Sequence, residues 1–189
     1  MLAGAGHANA SDYGCTVLLC LANPSSNGGP MGVAECVAPI TKLFDDLAHF
    51  RPFPTCDMAD GNDGSSYAKQ VTAPYDPCPS PLKAAPAGTW VVEGKKASSR
   101  PTWFVPTERD YTLAGAPQIT EQQSLPGMNF TTGPQACIGN KIGYYVAGSQ
   151  MNGDEHSVNV YDRVIWQKYQ SPRAIDVYID NQFNQRVHW

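Results

Sequence analysis

SDYGCTVLLCLANP, residues 11–24, carries Cys15 and Cys20 five positions apart in an otherwise mostly apolar run. How this stretch is read decides the fold. Ser11 or Asp12 offers a helix cap and Pro24 a stop, so a short helix is expected. On a helix, residues five apart are rotated by about 140° and rise by about 7.5 Å. A disulfide needs Cα atoms about 4.4–6.8 Å apart. Cys15 and Cys20 therefore cannot bond to each other, and each needs a partner elsewhere.

The next segment supplies them. SSNGGP (25–30) is a turn-forming linker, and GVAECVAPITKLFDDLAHF (32–50) reads as a second helix. Val37, Ile40, Phe44 and Leu47 form an apolar stripe with Leu43 beside it, away from Lys42 and Asp45. Pro39 suits the first turn of the main helix, with room for a short turn before it. Two such helices make an antiparallel hairpin. The end of the first then meets the start of the second, pairing Cys20 with Cys36. The start of the first meets the segment just after the second, pairing Cys15 with Cys56. By elimination Cys78 pairs with Cys137.

An even count of six cysteines favours disulfides in an oxidising compartment over a metal site or a reactive thiol. Zinc sites use C-x₂₋₄-C pairs with a second pair or histidines. Here the close spacing is x₄ with no histidine near it, and C-x-x-C is absent. Upstream, Ala8-Asn9-Ala10 fits a signal-peptidase site with Ser11 as the first mature residue. The basic and apolar parts of a full leader are missing. Residues 1–10 are thus expected to be a signal-peptide remnant, or a flexible Ala/Gly tail. No apolar run reaches the roughly 18 residues of a membrane span.

Between residues 61 and 86 the chain is loop-rich. DMADGNDGSSY (57–67) invites a calcium reading through Asp57, Asp60 and Asp63, but lacks the ligand spacing of an EF-hand and reads better as a solvated loop. After Pro86 the pattern becomes extended: TWVVEGKK, RPTWFVP, KIGYYVAGS, HSVNVYDRVIW and AIDVYID are β-branched and aromatic. In the last, Ile175, Val177 and Ile179 alternate with Asp176, Tyr178 and Asp180, one face apolar and one wet. The expected fold is α+β: a single domain over residues 11–189, with a disulfide-stapled helical hairpin (11–60), a loop-rich segment (61–86) and a mostly antiparallel β-rich part (87–189).

Chemistry-bearing residues are sparse. A net charge of −4, with no basic cluster beyond Lys95–Lys96, excludes a nucleic-acid footprint. His7 lies in the leader-like segment, His49 ends the second helix and His188 is next to last. His156 alone has adjacent carboxylates, Asp154 and Glu155, yet neighbours in a turn rarely form an oriented base. Asp45–Asp46 and Asp60–Asp63 fall on a polar helix face and in a loop. No G-x-S-x-G, H-E-x-x-H or phosphate-cradling glycine loop occurs, so no catalytic residue, metal or cofactor is assigned. Tyr144, Tyr145, Tyr161, Trp166, Tyr169 and Tyr178 crowd the β-rich part, as core residues or interface aromatics.

The ordered set of C-x₄-C-Leu, a Gly/Ser/Pro loop, Glu35-Cys36, Pro39 and Phe-Pro-x-Cys at residues 53–56 resembles the N-terminal half of TrbM/KikA-like conjugal transfer proteins. Residues 14–56 carry the resemblance, and DPCPS around Cys78 agrees more loosely. It implies a periplasmic accessory of plasmid conjugation that works beside type IV secretion and mating-pair formation. It carries over the framework of Cys15, Cys20, Cys36 and Cys56 and no catalytic residue. The expected partners are other envelope proteins of that apparatus, with no signal for an oligomeric state. The alternatives are a periplasmic cell-wall hydrolase and a secreted inhibitor or toxin-like module.

Overall fold

The computed structural model describes residues 9–56, 64–97, 105–123 and 131–189, with residues 9–11, 122–123 and 131–132 as backbone alone. Asp57, Asp60, Asp63, His7 and most of RPTWFVP lie outside the described residues. Two helices come first, α1 (Asn9–Leu21) and α2 (Ala34–Ala48). Strands come next: β1 (Tyr67–Thr72), β2 (Lys83–Ala84), β3 (Trp90–Lys96), β4 (Tyr111–Leu113), β5 (Gln118–Ile119), β6 (Gln122–Gln123) and β7 (Thr131–Thr132). The rest are β8 (Gln135–Ile138), β9 (Lys141–Ala147), β10 (His156–Tyr161), β11 (Val164–Gln167), β12 (Arg173–Ile179) and β13 (Gln182–His188). The fold is α+β, with disulfide-joined N-terminal helices and mostly antiparallel sheets.

The chain forms two compact units, Met1–Pro74 with Ser171–Trp189, and Tyr75–Gln170. This division cuts across the linear reading of 11–60, 61–86 and 87–189, because the last two strands join the helices. It also takes in β1, which lies in the stretch read as loop. YAKQVT has no alternation of apolar and polar residues to mark it as a strand.

In the first unit the helices cover one face of an antiparallel sheet ordered β1-β12-β13. Gly14, Val17, Leu18 and Leu21 form the buried stripe of α1 at i, i+3, i+4, i+7. Ile40, Leu43 and Leu47 do the same for α2, and both pack on Ile175, Val177 and Val187. Val37 was expected in that stripe but is 45% exposed, since it lies to the side of the face that Ile40, Leu43 and Leu47 define. Helix α1 starts at Asn9, so Ser11 and Asp12 stand in its first turn and are not its caps. Pro39 sits in the second turn of α2 and not the first, and removes the ladder bond to the Glu35 carbonyl.

The helix ends are tied down by other means. Gln185 Nε2, from β13, donates to the carbonyls of Leu21 and Asn23 at the end of α1. Helix α2 ends in a Schellman turn: Phe50 N–H donates to Leu47 O, and Arg51 N–H to Asp46 O. Phe50 holds the left-handed position usual for glycine, at φ 58°, and is 96% exposed.

The second unit holds a sheet ordered β4-β3-β10-β9, with β5 also on β3, and a smaller one ordered β11-β8-β2. Strands β3 and β10 run parallel, with Val158 beside Trp90. HSVNVYDRVIW, read as extended, forms two strands: the chain breaks at Asp162–Arg163 and β11 joins the other sheet. The larger sheet curls until Tyr111 of β4 reaches β9, where its hydroxyl donates to Tyr144 O at 3.0 Å. Gly143 makes room: a Cβ there would lie 2.2 Å from that hydroxyl oxygen.

Candidate functional site

All six cysteines are paired: Cys15–Cys56, Cys20–Cys36 and Cys78–Cys137. The first two clamp the ends of the α1–α2 hairpin, where antiparallel geometry places them. The third ties the loop before β2 to β8, inside the second unit. Their sequence separations of 41, 16 and 59 residues each correspond to roughly 3–4 kcal/mol on a loop-entropy estimate.

The histidines are dispersed. His49 caps α2, with Nδ1 2.8 Å from Asp45 O. His156 Nδ1 lies 2.7 Å from Asp154 O, and its ring stacks on Trp90 at 4.4 Å. His188 Nδ1 is 2.7 Å from Ser171 O. Among the described residues, no three His, Cys, Asp or Glu side chains converge as metal ligands.

Three carboxylates are buried among the described residues: Asp46 and Asp176 are spent on cations, and Asp110 accepts from the Thr107 N–H and hydroxyl. Asp46, expected on a polar face, accepts from Lys42 and from Arg51 at 2.6 Å. The Lys42 bond, then the Arg51 bond, holds its carboxyl below the usual range and pushes the Lys42 ammonium up. Lys42 Nζ also lies 4.6 Å over the Tyr13 ring, whose hydroxyl burial pushes up. Asp176 corrects the expected wet face of β12: it is 4% exposed and bidentate with Arg186, at 2.7 and 3.0 Å.

What the structure does assemble is a sheet edge. The Ala73 N–H donates to Pro172 O at 2.9 Å. Antiparallel alternation then makes Val71:Ala174, Lys69:Asp176 and Tyr67:Tyr178 the hydrogen-bonded pairs. The backbone groups of Ala68, Gln70 and Thr72 must point the other way. They face a free edge, and no described residue bonds to them. On the face away from the helices, Tyr67 stacks on Tyr178 at 4.8 Å and Phe183 meets Tyr178 edge-on at 5.9 Å. Lys69 Nζ lies 4.8 Å over the same ring, and its hydrogen bond to Tyr178 pushes its pKa up. On the helix side, a pocket of about 180 Å³ is lined by Gln70, Val71, Thr72, Arg173, Ala174 and Trp189. Of these residues the sequence reading named Tyr178 among the β-rich aromatics and Asp176 on a wet face. The edge itself was missed, since YAKQVT carries no strand period.

The chain matches no protein-family model, no curated protein and no solved structure.

Proposed function

We propose that this chain is an exported accessory protein of plasmid conjugation, acting in the envelope beside type IV secretion by binding other proteins. The observation that carries the reading is the stapled hairpin. The ordered cysteines behind the TrbM/KikA resemblance sit at its two ends and join the two helices, whose apolar faces pack on the sheet. Three disulfides suit an oxidising compartment, and among the described residues no helix is long and apolar enough to cross a membrane. The periplasm is the compartment this reading assigns.

Rigid staples and aromatic side chains left at the surface favour recognition by surface complementarity. The hydrolase alternative needs carboxylates or His156 gathered in a cleft. Asp46 and Asp176 are instead bound to cations, and His156 lies on Trp90. Affinity purification of the tagged protein from donor cells during mating should recover type IV secretion envelope proteins, and deletion should lower plasmid transfer. Recovery of none, with undiminished transfer, overturns the reading. Genomic neighbourhood separates it from an inhibitor or toxin-like module.

A further inference from the structure

Sheet edges invite a further strand, and proteins defend those they do not use. Most edges here are defended. Strand β9 has its Tyr144 carbonyl taken by the Tyr111 hydroxyl and its Val146 N–H by Pro106 O. Strand β13 is bulged, because Gln185 faces Val177 while Phe183 already faces Tyr178. Strands β4, β11 and β2 span only three, four and two residues. Strand β1 differs: it runs six residues in unbroken register with β12, and four of the six are exposed.

Charge beside this edge says what kind of strand it suits. Asp176 is opposite Lys69 in the ladder, but its carboxylate is committed to Arg186. Lys69 is left over the Tyr178 ring without an ion pair among the described residues. Arg173, opposite Thr72, likewise has none, and its guanidinium lies 5.3 Å over the Trp189 ring beside the edge pocket. One cation thus flanks the edge on each face of the sheet, each held by an aromatic ring, in a chain of net charge −4.

We propose that β1 takes up an extended acidic segment of a partner protein as an added strand. Backbone pairing runs to Ala68, Gln70 and Thr72, with one carboxylate toward Lys69 and a second, three residues away and so on the opposite face, toward Arg173. The aromatic row of Tyr67, Tyr178 and Phe183 receives an apolar side chain of the same segment. This deepens the protein-binding reading above and rests on it, naming the chemistry of the partner.

The test uses the full chain and a fluorescein-labelled octapeptide, Ser-Val-Glu-Val-Thr-Glu-Val-Tyr, followed by fluorescence anisotropy. Antiparallel pairing sets its second glutamate beside Lys69, its first beside Arg173 and its terminal tyrosine beside Tyr67. A control peptide carries lysine for both glutamates. The wild type should bind the glutamate peptide and not the control. Lys69→Glu and Arg173→Glu should each weaken it about tenfold or more, and the double variant should prefer the lysine peptide. Gln70→Pro, which removes an outward N–H that no internal bond uses, should abolish binding with the circular dichroism unchanged. Equal binding of both peptides, or binding that ignores the charge swap, overturns the proposal. So does sedimentation showing self-association that Gln70→Pro removes, because the occupant is then a second copy. Failure of the peptide while mating cells still yield envelope proteins removes strand addition alone and leaves the broader reading standing.

Discussion

Gly14 lies directly beneath the Thr55 carbonyl: a Cβ at position 14 would sit 1.8 Å from that oxygen. The bare helix surface lets the segment after α2 cross α1 closely enough for Cys15 and Cys56 to bond at a Cα separation of 4.4 Å. Glycine-to-alanine inside a helix usually stabilises by up to about 1 kcal/mol. Here the backbone collision reverses the sign. Gly14→Ala should destabilise by about 1–3 kcal/mol, as overpacking does, and should slow closure of Cys15–Cys56. Urea denaturation and non-reducing peptide mapping measure both effects.

The Asp176–Arg186 pair gives a second prediction. Its side chains are 6% and 12% exposed, so removing one partner leaves the other charged and buried. Arg186→Met alone should cost about 3–5 kcal/mol. Adding Asp176→Leu should recover most of that loss, because no stranded charge remains. If the double variant is as unstable as the single one, packing and not charge sets the cost. Chemical denaturation of the three proteins decides it.

Asp46 sets part of the acid limb. Its folded pKa lies below the ordinary carboxylate value of 3.8, held down by Lys42 and Arg51. The unfolded chain therefore binds the proton more tightly, and stability rises with pH through this window. The contribution is present above the unfolded value and is lost as pH falls through the lower folded one. Asp46→Asn should be less stable than wild type at neutral pH, and should lose less on acidification below about pH 4. Thermal melts at several pH values read the difference in slope.

Much of the hairpin was legible because its information is local. Helical period, Pro24 and the cysteine spacing all lie within residues 11–56, and two helices with a short linker have one simple way to pack. Val37 misled because it sits at the flank of the stripe, where the neighbouring element and not the period decides burial. Asp176 reads as polar and outward until Arg186 is brought opposite it by a hairpin. Strand β1 was invisible for a related reason. Its partner β12 begins about a hundred residues later, and Ala68, Lys69 and Gln70 carry no alternation. The parallel pairing of β3 with β10 likewise depends on a crossover that no local signal announces.

The split first unit supports a fourth prediction. Ala73 and Pro172 are hydrogen-bonded neighbours, so Tyr75–Gln170 is inserted between two adjacent strands of one sheet. Replacing residues 74–171 with Asn-Gly, a two-residue hairpin turn, should leave a protein that unfolds cooperatively and keeps two disulfides. Loss of cooperative unfolding in that variant would show that the first unit does not stand alone. Intact mass under non-reducing conditions and circular dichroism report the outcome.

The same connectivity dictates an order of events during synthesis. Cys15, Cys20, Cys36 and Cys56 emerge first, whereas the strands that the helices cover, β12 and β13, are made more than a hundred residues later. Until then Val17, Leu21, Ile40 and Leu43 have no sheet to rest on. The chain thus carries an uncovered hairpin while residues 75–170 are made. Once formed, its two staples hold the helices together, and residues 171–189 complete the core.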